Sequence, residues 1–160
     1  MKKAYKYIMA IAVIMIAANC RGIYEDGKEL ASEYESQVSS VTLADLDAKT
    51  ANGETFTLID VRQADDFATQ NIPGSVNIPR GVLEFQISDS TYWASQYMFP
   101  PAKEEEIIVY SADGSLGVLS AVALKQIGYK KVSNLKGGFK SANANSSGKT
   151  APQSSGGCGG

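Results

Sequence analysis

Of the side chains that act as nucleophiles near neutral pH, the sequence offers two cysteines, Cys20 and Cys158, and no histidine to activate anything else. Without imidazole there is no Ser-His-Asp triad, no imidazole acid or base, and no zinc site that needs a histidine ligand. Two thiols cannot make a four-cysteine site either. The serines are left as alcohols of high pKa, which are poor nucleophiles without a base beside them. No metal or organic cofactor is expected. The remaining chemistry-bearing residues are charges at the ends of apolar runs. Asp60 and Arg62 close Phe56-Thr57-Leu58-Ile59-Asp60-Val61, and Arg80 follows Ile78-Pro79.

The elements that must position these groups fit one domain. The chain has 160 residues, 44% of them hydrophobic, with 15 basic against 17 acidic side chains, which is enough for a single core. A net charge of −2 gives no broad basic face, so nucleic acid is not expected as a partner. Residues 1–20 stand apart. Lys2, Lys3 and Lys6 precede an uninterrupted apolar run of 11 residues, Ile8 to Ala18. This pattern predicts an export signal. As a helix the run spans about 16 Å, roughly half a hydrocarbon core, so a permanent membrane span fits it less well. Ala17-Ala18-Asn19-Cys20 is similar to a bacterial lipobox, which implies acylation of Cys20 and attachment to a membrane, in the periplasm or elsewhere in the cell envelope. A simple secretory signal, with Cys20 incidental, is the other reading. Removing this segment takes away three lysines and no acid and leaves 12 basic against 17 acidic residues, a net charge of −5.

Residues 21–40 are polar and predict a tether or a marginal helix. Thr42 is placed as the N-cap of a short helix that closes near Asn52-Gly53. A strand over 56–61 follows, then a helical turn over 64–70, a turn at Ile72-Pro73-Gly74 and a short strand over 75–78. The stretch 80–87 reads as a helix with Val82, Leu83, Phe85 and Ile87 apolar. Tyr92, Trp93, Tyr97 and Phe99 read mostly as core, with an exposed docking surface as the alternative. Ile107-Ile108-Val109-Tyr110 is a β-branched run suited to a central parallel strand. Ser115 to Ile127 carries Leu116, Leu119, Ala123 and Ile127 as the stripe of an amphipathic helix whose end Gly128 caps. Lys131 to Leu135 is a last strand. This alternation predicts an α/β fold of three layers, a central parallel sheet with helices on both faces, over residues 41–140. Residues 141–160, rich in Ser, Asn and Gly, predict a disordered tail carrying Cys158.

Five strings in register carry a family resemblance. They are Leu58-Ile59-Asp60-Val61-Arg62, Ile72-Pro73-Gly74-Ser75-Val76-Asn77-Ile78-Pro79, Ile107-Ile108-Val109-Tyr110, Gly128-Tyr129 and Leu135-Lys136-Gly137-Gly138-Phe139. From about Val41 to Phe139 the chain resembles a rhodanese-like domain. The resemblance implies a small α/β fold in which active members carry, after the strand matching Ile107–Tyr110, a cysteine that takes up sulfane sulfur as a persulfide. The position of that cysteine is Ser111 here, in the loop Ser111-Ala112-Asp113-Gly114-Ser115-Leu116, ahead of a helix expected to begin near Gly117. Leu116 stands where the loop's closing arginine is usual. Backbone amides and the positive end of a helix favour an anion or thiolate at the first loop position. A serine there forms no persulfide, and Asp113 adds a negative charge that opposes anion capture.

Asp60 and Arg62 read first as a polar pair supporting the fold and second as residues that orient the loop or meet a ligand. Arg80 is placed either at a pocket mouth or over apolar surface. The main expectation is an exported, lipid-anchored module, inactive as a sulfurtransferase, that binds a protein partner or a small sulfur-containing or anionic ligand in a binding or sensory role. The alternative is a sulfur carrier or sulfurtransferase in which Cys158 supplies the thiol. A flexible chain from Phe139 to Cys158 has a reach of about 24 Å.

Overall fold

The computed structural model of the protein describes residues 22–146, with the backbone alone for 144–146. The export signal, Cys20 and Cys158 lie outside the described residues. Along the chain the elements are α1 (Gly27–Tyr34), β1 (Ser39–Val41), α2 (Leu43–Ala51), β2 (Thr57–Asp60), α3 (Ala64–Thr69), β3 (Ser75–Asn77), α4 (Leu83–Gln86), α5 (Ser90–Ser95), β4 (Glu106–Tyr110), α6 (Ser115–Gln126), β5 (Lys131–Leu135) and α7 (Gly138–Ser146). The five strands form one parallel sheet in the order β1-β5-β4-β2-β3.

Alternation along β2, β4 and β5 divides the core into two layers, because successive strand side chains point to opposite faces. Ile59, Ile107, Val109 and Val132 face Ala31 of α1, Leu83 of α4, Trp93 of α5, and Val118, Ala121 and Leu124 of α6. Leu58, Ile108, Tyr110 and Leu135 face Leu46 of α2, with Phe139 of α7 packed against them. The sheet is therefore covered on both sides, and its central strands can be apolar throughout. Thr42 caps α2 in a capping box with Asp45, whose carboxylate accepts from the Thr42 amide while Thr42 Oγ1 accepts from the Asp45 amide.

Several local expectations change in three dimensions. Residues 21–40 were expected as tether or marginal helix. They hold α1, whose Asp26 N-cap accepts from the Lys28 and Glu29 amides, together with Ser39 and Ser40 of β1. Ala31 and Val38 belong to the core. α6 begins at Ser115, where the amphipathic stretch begins and two residues before the start the loop suggests, and its buried residues are Gly117, Val118, Ser120, Ala121, Ala123 and Leu124, which include Ala123 of the expected stripe. Leu116 and Ile127 of the expected stripe are exposed. The reason is that α6 packs against α1 as well as the sheet, so Val118, Ala121 and Leu124 turn into the core while Leu116 and Ile127, at the two ends of the helix, reach solvent. α4 is only four residues long. Leu83 and Ile87, at i and i+4, turn inward, while Val82 and Phe85 face out. Of the aromatics, Trp93 is fully buried and its Nε1 donates to the Ile87 carbonyl at 2.9 Å. Tyr97 and Phe99, expected as core, are exposed, since α5 ends at Ser95 and the chain turns at Tyr97, whose φ is +57°. The tail expected from residue 141 is helical as far as Ser146.

Candidate functional site

β4 delivers Ser111 to the carboxyl edge of the sheet, and the chain turns through Ala112 and Asp113 into the N-terminus of α6 at Gly114. Ser111 is 2% exposed. Its Oγ accepts hydrogen bonds from the Gly114 amide (3.1 Å) and the Gly117 amide (3.2 Å). Asp113 Oδ1 accepts from the Ser115 amide at 3.1 Å. That hydrogen bond, helped by the charges of Lys28 and Lys140, holds the Asp113 carboxyl below its usual range. Three amide donors at the helix N-terminus, the groups an incoming anion would need, are thus already taken by the loop's own oxygens.

The turn after β5 locks the loop from the other side. The Phe139 amide donates to the Ser111 carbonyl (2.7 Å) and the Lys140 amide to the Ala112 carbonyl (3.0 Å). Asn134 of β5 reaches into the same place. Its Nδ2 donates to the Gly114 carbonyl at 3.1 Å, and its Oδ1 lies where a side chain on Gly117 would begin. Among the described residues, Asn134 Oδ1 is the one buried side-chain polar atom without a hydrogen-bond partner. Sequence reasoning passed over Asn134, although an amide in the middle of a core strand is a signal in itself, because such a group is buried only when it has hydrogen-bonding work. A cavity of about 140 Å³ lies beside the loop, with Lys28, Asp113, Asn134 and Lys136 among its walls.

The supporting residues expected from the sequence fall into two groups. Asp60 and Arg62 form a buried ion pair, Arg62 Nη2 to Asp60 Oδ2 at 2.6 Å, with Arg62 Nε donating to the same carboxylate. Arg62 Nη2 also donates to the Gln70 carbonyl (2.7 Å). The guanidinium lies 4.0 Å from the centre of the Phe139 ring and 5.7 Å from that of Tyr110. Burial works against the Arg62 charge, but the hydrogen bond and charge of Asp60 overcome it, so its pKa is raised above the ordinary arginine range. The pair ties β2 to the segment after α3 and, through Phe139, to the helix that braces the Ser111 loop. Arg80 is half-buried and committed to Glu84, with Nη1 at 2.7 Å from both carboxylate oxygens. Leu116 is 38% exposed on the first turn of α6, so no cation at this position closes the loop.

The loop therefore presents a buried alcohol in an amide cradle, with neither a thiol nor a free guanidinium at its rim. Comparison with known proteins places this scaffold. YrkF of Bacillus subtilis, which carries the name of a candidate sulfur carrier protein, is 26% identical over 120 residues, 75% of this chain and 59% of that protein. A candidate mitochondrial thiosulfate sulfurtransferase of Schizosaccharomyces pombe is 31% identical over 84 residues, 51% of this chain and again 59% of its relative. The chain thus spans about three fifths of the length of either. The solved structure of the human single-domain sulfurtransferase TSTD1 superposes with a TM-score of 0.63 at 25% identity, covering 71% of this chain and 99% of that one. The model of the rhodanese-like domain matches residues 42–145, and with the parallel sheet, its order and the loop at its carboxyl edge, this chain belongs to the rhodanese-like domain family.

Proposed function

We propose that this protein is an exported rhodanese-like module, anchored through Cys20, whose own loop does not transfer sulfur and which acts as a binding or sensory domain. The observation that carries the reading is Ser111 Oγ held in the amide cradle by Gly114 and Gly117. Ser111 stands where a persulfide-forming member of the family has cysteine, and an alcohol there has no histidine anywhere in the chain to take its proton. Leu116 in place of a closing arginine removes the cation that would hold an anionic sulfur donor. Phosphate-ester cleavage is disfavoured for the same two reasons.

A full chain carrying Cys158→Ser isolates the loop from the distant thiol. In a thiosulfate and cyanide assay it is expected to produce no thiocyanate above the protein-free control, and turnover there contradicts the proposal. Adding Ser111→Cys to that chain is expected to yield a mass increment of one sulfur atom after exposure to thiosulfate, because the two glycine amides favour a thiolate. Steady turnover stays low without an arginine at 116.

The names of the relatives, a sulfur carrier and a thiosulfate sulfurtransferase, favour a second reading in which Cys158 supplies the thiol. α7 carries the chain from Gly138 to Ser146, about 13 Å as a helix, so the stretch able to bring Cys158 back to the loop starts at 146, not at 139. Twelve residues from Ser146 to Cys158 still cover that distance when extended. Under this reading the unmodified chain takes up one sulfur atom at Cys158 from a sulfane donor, and Cys158→Ser abolishes the uptake. An unmodified Cys158 in peptide mass spectra eliminates it.

A further inference from the structure

The polypeptide enters the domain beside the Ser111 loop. α1 lies along α6 in the same direction. Near its start Lys28 Nζ stands 3.9 Å from Asp113, and beyond its end the Gln37 carbonyl accepts from Lys125 Nζ of α6 at 3.0 Å. Asp26, Gly27 and Lys28 share the walls of a hollow of about 260 Å³ with Asp113, Leu116 and Leu119. Exposed apolar residues near the entering chain include Ile23, which is fully exposed, and Leu116.

Chain length then limits how the domain can sit. Six residues separate Cys20 from Asp26, at most about 20 Å of extended chain. Ile23 is only three residues from Asp26, or about 10 Å. A domain of 125 described residues is about 35 Å across. The tether is shorter than the domain is wide, so the end at which it enters is held closest to whatever holds Cys20. Charge at this end is mixed, Lys28, Lys136 and Lys140 against Glu25, Asp26 and Asp113. Orientation therefore comes from the tether and the apolar residues more than from attraction to anionic headgroups.

From this geometry we infer that the Ser111-loop end of the domain is an interaction surface for a lipid bilayer, with Ile23 and Leu116 at the headgroup boundary and the opposite edge of the sheet turned to water. The inference rests on the anchoring through Cys20 proposed above. It places any ligand of the loop at the membrane surface and leaves the end bearing Ala51 free for soluble partners.

The experiment uses full chains carrying Cys158→Ser and either Leu116→Cys or Ala51→Cys, recovered from cell membranes, labelled with an environment-sensitive fluorophore and reconstituted into vesicles of phosphatidylethanolamine and phosphatidylglycerol. Ala51 is exposed at the end of α2, and Lys49 of the same turn pairs with Glu106 at the start of β4, so it marks the far end. Lipids brominated near the headgroup are expected to quench the probe at 116 several-fold more than the probe at 51. Equal quenching, or stronger quenching at 51, overturns the orientation while leaving the anchoring intact. A chain that never fractionates with membranes overturns the anchoring and the orientation together. Protection of position 116 in native membranes but not in vesicles assigns this face to a protein partner and overturns the lipid assignment.

Discussion

Replacing Asp60 with alanine is expected to cost about 3–5 kcal/mol of stability, the range for removing one partner of a buried ion pair. The cost comes from what is left behind. Arg62 is 8% exposed, and without the Asp60 carboxylate its guanidinium keeps the Gln70 carbonyl and the faces of Phe139 and Tyr110 but no counter-charge. The Arg62 amide, which donates to Asp60 Oδ1 at 2.9 Å, loses its acceptor as well. Domains of this kind have only about 5–15 kcal/mol in total, so the variant should unfold at a much lower urea midpoint with little change in slope. Glu84→Ala is the comparison. It breaks the half-exposed pair with Arg80, which water and side-chain entropy reduce to about 1 kcal/mol or less. If both variants shift the midpoint equally, the Asp60–Arg62 pair is not the support described above.

Gly138→Ala is expected to cost about 3 kcal/mol or more and to disturb the Ser111 loop directly. Gly138 has φ +57°, where an L side chain costs about 1–2 kcal/mol. A Cβ there would also overlap the Ser111 carbonyl oxygen and stand 2.7 Å from the Gly114 nitrogen. Both are backbone atoms that cannot rotate away. The hydrogen bond from the Phe139 amide to the Ser111 carbonyl would have to open, adding about 1 kcal/mol. Gly74→Ala isolates the first contribution, since Gly74 has φ +81° with nothing within 4 Å of its Cβ position. It should lose only the backbone part. Amide hydrogen exchange checks the local effect. Gly138→Ala is expected to speed exchange at Gly114 and Gly117, and Gly74→Ala to leave both unchanged. A Gly138→Ala protein as stable as Gly74→Ala contradicts the close approach of the two turns.

Much of this arrangement is legible in the residues themselves. Ile107-Ile108-Val109-Tyr110 falls where β4 forms, because a parallel strand buried on both faces needs a continuous apolar run, and Lys131 to Leu135, a more polar segment, forms β5 beside it. Thr42 caps α2, as its place just before the helix suggests. Local sequence carries these signals since each depends on neighbours within a few positions. The absence of histidine excludes an imidazole-activated serine at any position in space.

Which apolar residues go inside was not legible. Leu116, Phe85, Tyr97 and Phe99 are as hydrophobic as the core residues beside them, and only the packing of α1 and α6, the shortness of α4 and the turn at Tyr97 leave them in solvent. Nor could spacing show that Gly138, Asn134 and Ser111 meet. The residue types alone determined what chemistry this chain lacks and which segments become strands. Only the tertiary structure decided that Asn134 and the turn at Gly138 close on the Ser111 loop and that the chain enters beside it, because both depend on contacts between segments far apart along the backbone.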